Sequence, residues 1–237
     1  MKKKIILIVI VAILTFGGYK SYQYFIGETV CYYYANGKIK LESNYKYGKL
    51  NGIQKQYFEN GNILEETPYK NGKMDGINKT YNKDGSISFE NPYKNGKMDG
   101  TLRYYKNNKI MVESTFKNGR MNGLQKSYNK DGSIYSQTPY KNGRINGVQK
   151  IYKNGNIRSE IPYIDSRRNG VGKTYNKDGS IYSETPYIND KIDGVLKFYD
   201  KNGKINLEIP YKDDEQNGFK RKYKNGILEE DDISNTE

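Results

Sequence analysis

The sequence has no histidine, no tryptophan, one cysteine (Cys31) and six prolines in 237 residues. Without histidine there is no imidazole base and no Ser/His/Asp or Cys/His set. A single thiol can neither close an intramolecular disulfide nor help build a Cys/His zinc site. Apolar residues are also scarce, at 35%, and mean hydropathy is −0.96. An ordinary globular core draws on more Leu, Val, Ala and Phe than this. In their place stand 25 tyrosines and 25 glycines. Tyrosine supplies ring area while keeping its hydroxyl in water, which suits a thin, wet sheet. Disorder is the competing outcome of high charge and low hydropathy, and the periodicity described below opposes it.

Forty basic and 27 acidic residues give a net charge of +13. Lys2–Lys4 belong to the N-terminal segment, Glu229–Glu237 is acidic, and the other cations are spread through the turns of a repeat. An even spread implies solvated turns. It does not suggest nucleic acid, which calls for a basic stripe on a recognisable reading module. Cys31 reads as a stray thiol at the start of the array, with a disulfide dimer as the alternative.

Lys2-Lys3-Lys4 followed by Ile5 to Gly18 is a charged and then an apolar region. As a helix the apolar run covers roughly 21 Å, short of a ~30 Å hydrocarbon core. That length suits a cleaved signal peptide. Against cleavage, no A-x-A-like site follows, and Tyr19 to Phe25 is an aromatic interfacial tail that lengthens the span. The expectation is therefore an uncleaved N-terminal helix anchoring the chain in the cytoplasmic membrane with the repeats outside. The alternative is a secreted or periplasmic product. The implied segments are 1–26 (anchor or signal peptide), 27–230 (repeat array) and 231–237 (acidic, disordered tail).

Self-similarity dominates the remainder. Gly52, Gly76, Gly100, Gly123, Gly147, Gly170, Gly194 and Gly218 recur at near-constant spacing of about 24 residues. Between them runs the approximate pattern [IV]-x-K-x-Y-x-(K)-[DN]-G-x-I-x-x-E-x-P-Y-K-N-G-K-[MI]-[DN]-G. Each unit holds two extended stretches, such as Ile77–Tyr81 and Ile87–Glu90, with branched and aromatic residues at spacing two. Asn82–Ser86 fits a three-residue hairpin loop with Gly85 left-handed, and the shorter Lys153–Asn156 fits a two-residue Asn-Gly turn. Both lengths pair the flanking Tyr with Ile, as Tyr81 with Ile87 and Tyr152 with Ile157. Asn71-Gly72 and its equivalents make the second turn. The predicted fold is all-β: tandem hairpins in one elongated, twisted antiparallel sheet, preceded by the apolar helix.

Simple alternation across the turns puts Tyr81, Ile87, Tyr93 and Met98 on one face, but it then flips the next repeat. A bulge in each repeat must restore register. The Asp-Gly step and the proline column are the candidates, since proline cannot donate to the ladder. All six prolines (Pro68, Pro92, Pro139, Pro162, Pro186, Pro210) occupy that column. Two aromatic ladders follow, one through Tyr57, Tyr81 and Tyr105 to Tyr223, the other through Tyr45, Tyr69 and Tyr93 to Tyr211. Neighbouring repeats are expected to bury each other's rings.

The stretch Tyr69-Lys70-Asn71-Gly72-Lys73-Met74-Asp75-Gly76, repeated at Tyr93–Gly100, resembles the aromatic-x-N-G-K-x-x-G half of a MORN repeat. The Y-x-G-x-W opening is missing, and I-x-x-E-x-P-Y stands in its place, as at Ile181–Tyr187. This combination resembles the bacterial MORN-variant repeats of the YwqK-type antitoxin family. The resemblance implies a scaffold that neutralises a toxin, assembles proteins or touches lipid headgroups.

No P-loop or nucleotide fingerprint occurs, and Asp84-Gly85 lacks the spaced carboxylates of an EF-hand. A column of equivalent glutamates, Glu42, Glu66, Glu90, Glu113, Glu160, Glu184, Glu208 and Glu230, is broken only by Gln137. It offers one environment many times over, whereas glycoside hydrolysis needs two that differ. No catalytic, metal or cofactor residue is therefore expected, and the glutamates read as ion-pair partners of the basic column. The candidate binding surface is that basic column with the tyrosine beside it: Lys55 and Tyr57, Lys79 and Tyr81, Arg103 and Tyr105, Lys126 and Tyr128, Lys150 and Tyr152, Lys173 and Tyr175, Lys197 and Tyr199. Ring and cation side by side suit a protein partner or an anionic envelope polymer. The weakest turns are expected near Ile164–Gly170 and Tyr211–Gly218, where Asp-Ser or Asp-Asp replaces Asn-Gly and Arg168 or Gln216 replaces an apolar residue.

Overall fold

The computed structural model describes residues 27–232, with side chains through 229. The expected N-terminal helix and residues 233–237 lie outside the described residues. Every regular element among the described residues is a β-strand. They form two compact units, one of residues up to Ile110 with Phe116–Gly119, the other of Met111–Thr115 with Arg120 onward. Each unit is built of antiparallel hairpins of one design.

In the first unit the repeat from Gly76 illustrates that design. Strand Gly76–Tyr81 pairs with Ile87–Lys94, whose end folds back through Asn95-Gly96 onto the short arm Lys97–Met98. Asn82 N donates to Ser86 O, and Gly85 has φ +86°, as the three-residue loop requires. In the second unit, Gly147–Lys153 pairs with Asn156–Ile164 through Asn154-Gly155, with φ of +55° and +81°. Tyr81 stands opposite Ile87 and Tyr152 opposite Ile157, so the two loop lengths leave register unchanged.

Register breaks twice in each repeat. One break lies at the Asp-Gly step facing the proline. Asp75 N donates to Pro68 O, Gly76 turns to φ +124°, and pairing resumes at Glu66 with Lys79. A Cβ on Gly76 would meet the Pro68 ring at 2.8 Å, so the glycine lies flat on the proline of the preceding repeat. The proline, which has no N–H to donate, occupies the place where the ladder is already open. The second break was not expected. Thr80 pairs with Phe89 but Tyr81 pairs with Ile87, leaving Ser88 as a one-residue bulge beside the loop.

That bulge corrects the expected faces. Ile77, Lys79 and Tyr81 share one face with Pro92, Glu90 and Ile87. Tyr93 and Met98 pair with each other on the opposite face, with Asn78, Asn91 and Phe89. The two tyrosine ladders thus run on opposite sides of the sheet, because the extra residue at Ser88 reverses the alternation between Ile87 and Tyr93.

The tightest packing is polar, which corrects the expectation of buried rings. No hydrophobic side chain among the described residues is fully buried, and the ladder tyrosines are half-buried. The least exposed side chains are Ser43, Thr67, Asn78, Ser114, Thr138 and Ser183. Asn78 Nδ2 donates to Thr67 Oγ1 (2.8 Å) and Glu65 Oε1 (2.6 Å), Gln54 to Ser43 Oγ (2.8 Å) and Gln149 to Thr138 Oγ1 (3.0 Å). With no second layer over the sheet among the described residues, a ring keeps one side in water. Only short side chains between two strands are closed off, and these need partners.

Candidate binding face

The register places the basic and acidic columns in alternation. Glu66 stands opposite Lys55 within its hairpin and opposite Lys79 of the next repeat. Glu160 stands between Lys150 and Lys173, and Glu184 between Lys173 and Lys197. Separations are 2.9 Å for Lys150–Glu160, 3.2 Å for Lys173–Glu184, 3.6 Å for Lys55–Glu66 and 3.7 Å for both Lys197–Glu208 and Arg103–Glu90. Lys126 stands opposite Gln137, whose amide brings no charge.

Each ladder tyrosine is tied to the carboxylate of the preceding repeat. Tyr57 donates to Glu42 (3.1 Å), Tyr81 to Glu66, Tyr105 to Glu90 and Tyr199 to Glu184 (each 2.8 Å), and Tyr128 to Glu113 and Tyr175 to Glu160 (each 2.7 Å). Tyr152 donates to the Gln137 amide oxygen at 3.0 Å, so the one break in the glutamate column keeps the acceptor and loses only the charge. Burial and the neighbouring carboxylate push the phenols of Tyr57, Tyr81, Tyr175 and Tyr199 up to about 12. In return the Tyr175 hydroxyl, and then Lys150, hold Glu160 below the usual carboxylate range; Tyr199, followed by Lys173, does the same for Glu184.

All seven expected Lys/Arg–Tyr pairs, Lys55–Tyr57 through Lys197–Tyr199, therefore carry side chains on one face of their own units. They are accompanied by a stripe that sequence reasoning passed over. Ile53, Ile77, Leu124, Val148, Val171 and Val195 lie on this face, 36 to 48% exposed, each opposite a proline. The signal was available, since the branched residue after each of these Asp-Gly or Asn-Gly steps lies two before the basic residue. Tyr33, opposite Ile39, proves to be the first member of the tyrosine ladder, with Cys31 in the lysine position opposite Glu42.

Glu66, Glu90, Glu160, Glu184 and Glu208 each meet a tyrosine and a basic residue in the same way, so among these five none is set apart as acid from base. Among the described residues no group of His, Cys, Asp or Glu is placed to hold a metal ion. Hairpins that lean only on their neighbours, and that present the same columns repeat after repeat, define a tandem β-hairpin scaffold. The chain belongs to the MORN repeat variant family, whose profile matches eight successive segments: 29–47, 50–71, 74–95, 98–118, 121–142, 147–165, 168–189 and 192–213. No curated protein gives a significant match.

Proposed function

We propose that this protein is a non-enzymatic binding scaffold on the outer side of the cytoplasmic membrane, held there by its N-terminal apolar segment. The partner is a protein received on the face that in each unit carries the basic residue and its tyrosine, Lys55 to Tyr105 in the first and Lys126 to Tyr199 in the second. The observation that carries this reading is the composition of that face: a self-neutralising Lys–Glu ladder between an exposed aliphatic–proline stripe and a row of tyrosines. Alternating charge gives register and rejects wrong partners without a large net field. Exposed aliphatic and tyrosine side chains supply the contact area. An anionic envelope polymer gains little here, because the cations of the column alternate with carboxylates, Lys126 opposite Gln137 excepted.

The membrane placement rests on the sequence pattern of residues 1–26; among the described residues no helix is long and apolar enough to cross a membrane. Fractionation with sequencing of the mature N-terminus tests it, and a soluble cytoplasmic pool would overturn it. Crosslinking in cells through a photoreactive residue at Val148 or Val171, both on the stripe, should recover a protein. Recovery of none would sink the partner reading. The antitoxin role is the second reading, and a toxin gene adjacent to this one, with its product crosslinked at the same positions, would favour it.

A further inference from the structure

The turns that are evenly spaced in sequence are not evenly placed in space. The second turns stack along one flank of the sheet in each unit. Gly72 N donates to Leu50 O (2.7 Å) and Gly96 N to Met74 O (2.8 Å), and a Cβ on either glycine would lie 3.8 Å from Lys49 or Lys73 of the turn before. In the first unit each hairpin end sets two lysines opposite each other: Lys46 with Lys49, Lys70 with Lys73 and Lys94 with Lys97. Like charges directly opposite on a sheet are destabilising. Of the acids in these turns, Asp75 and Asp99 accept from the backbone of Asn95 and Asn118, and Asp99 pairs with Lys117 at 3.2 Å while also feeling the charge of Lys94.

The second unit is different. Its turns carry acids that neutralise this flank: Lys191 meets Asp213 at 3.2 Å, Lys212 meets Asp193 at 2.7 Å and Arg144 meets Asp165 at 4.0 Å. Ile164 and Ile188 replace the lysine that precedes the turn. One hairpin end of the second unit still sets Lys141 opposite Arg144, but the ends that follow carry acids, so the same backbone geometry tolerates a neutral flank and the run of three opposed lysine pairs belongs to the first unit.

We propose that the lysine flank of the first unit is a binding site for a linear polyanion that bears phosphates along its chain and no nucleobases. This rests on the scaffold reading but places the anionic ligand on the flank, away from the Lys–Tyr face. Lysine pairs recur once per hairpin, roughly 10 Å apart at ~4.8 Å per strand. A row of that kind follows an extended polymer better than a compact ligand. The row from Lys49 to Lys97 is all lysine, a compact charge with three rotatable donors that can track phosphates on a flexible chain. No base-reading module accompanies it.

The test uses the full chain in detergent with labelled inorganic polyphosphate, titrated by fluorescence anisotropy across a salt series. The variant K70Q/K73Q/K94Q/K97Q should bind at least about tenfold more weakly, with a salt slope shallower by ~0.7–0.9 for each contact removed. It should also melt at an equal or higher temperature, because opposed like charges are gone. The flank control K191Q/K212Q and the face control K79Q/K173Q should leave binding within about twofold. An absence of polyphosphate binding at low salt overturns the proposal, as do equal losses in the controls or a clear preference for single-stranded DNA of equal charge. The crosslinking result at Val148 and Val171 is independent of every arm, so the scaffold reading stands or falls separately.

Discussion

At the scale of single residues, the glycines of this fold do two different jobs. Gly76 has φ +124° with the Pro68 ring at 2.8 Å from its missing Cβ, whereas Gly85 has φ +86° and nothing within 4 Å. Gly76→Ala must move a ring packed in the sheet and is expected to cost more than ~2 kcal/mol; Gly85→Ala meets only the left-handed penalty of about 1 kcal/mol. Urea melts that rank the two the other way would show the proline contact to be slack. The non-glycine turns of the second unit offer a subtler case. Ser166 holds φ +69°, and its hydroxyl accepts from Ile145 N at 3.0 Å. Ser166→Ala keeps the strain and loses the bond, so it should cost about 1 kcal/mol; in Ser166→Gly relief and loss nearly cancel, leaving it within ~0.5 kcal/mol of the parent. Equal destabilisation by both would mean that the left-handed strain contributes nothing, and a neutral Ser166→Ala that the hydroxyl does not.

At the scale of the hairpin and its neighbour, the Tyr–Glu–Lys column sets how stability follows pH. Glu160 and Glu184 have folded values below their ordinary 4.5. Their contribution is complete above that value and is lost as pH falls through the depressed one. Tyr57, Tyr81, Tyr175 and Tyr199 are shifted the other way, from 10 to about 12, so the folded state favours the neutral phenol. Their contribution is complete below pH 10 and disappears as pH rises toward about 12. Thermal melts should therefore give a plateau through neutral pH with a fall on each side, and part of the tyrosine absorbance should titrate as a class at about 12. One class near 10 would contradict the hydrogen-bonded column. Gln137→Glu should add up to ~1 kcal/mol near neutrality, between Lys126 and Lys150, and the gain should vanish in high salt. Much of this column was legible in the sequence. Spacing alone gave the Lys, Glu and Tyr positions, the two loop types and the Tyr–Ile pairings, because each follows from period two and from turn glycine. What could not be read was the bulge at Ser88, since nothing in Ile87-Ser88 distinguishes a bulged serine from a paired one. Without it both ladders fell on one face, and the Tyr175–Glu160 bond, which crosses a repeat boundary, stayed out of reach. A further signal was missed: Asn82-Lys83-Asp84-Gly85-Ser86 recurs at Asn129 and Asn176, in every second repeat. In each copy the serine N–H and hydroxyl donate to the aspartate, which lowers Asp84 and Asp178.

At the scale of the array, each hairpin is only as firm as its two interfaces, so opening should follow interface quality. From the sequence, the irregular turns around Ile164–Gly170 and Tyr211–Gly218 appear equally weak. The structure separates them. At Gly72, Gly96 and Gly143 one backbone bond runs from glycine to the preceding turn, supplemented at Asn71 and Asn95 by an amide that donates to Asn51 or Asp75, whereas in the later turns of the second unit one turn residue both donates to and accepts from the same neighbour. Ser166 N donates to Ile145 O while its hydroxyl accepts from Ile145 N, and Asp190 N donates to Arg168 O while its carboxylate accepts from Arg168 N at 2.8 Å. Arg168, which breaks the apolar column, lies with its guanidinium 4.3 Å from the centre of the Tyr187 ring in the next repeat. It pairs with Asp190 as well, at 3.5 Å. The turn near Ile164–Gly170 is thus clamped from both sides. The turn at Asp213-Asp214 makes the same two bonds back to Ile192, at 2.9 and 2.6 Å, and the difference lies on its far side. Gln216 bonds only within its own turn, to Gly218 O at 3.3 Å, and the strands beyond it, Lys220–Lys224 and Ile227–Asp232, leave Ile227 72% exposed. Hydrogen exchange should therefore begin in Lys220–Asp232, while amides of Ile164–Gly170 exchange no faster than those of Lys70–Gly76. The Ile145 amide should be protected in the parent and lose that protection in Ser166→Ala, because its acceptor is then gone. Faster exchange at Ile164–Gly170 than at Lys220–Asp232 would mean that strain at Asp165 and Ser166 outweighs the added bonds.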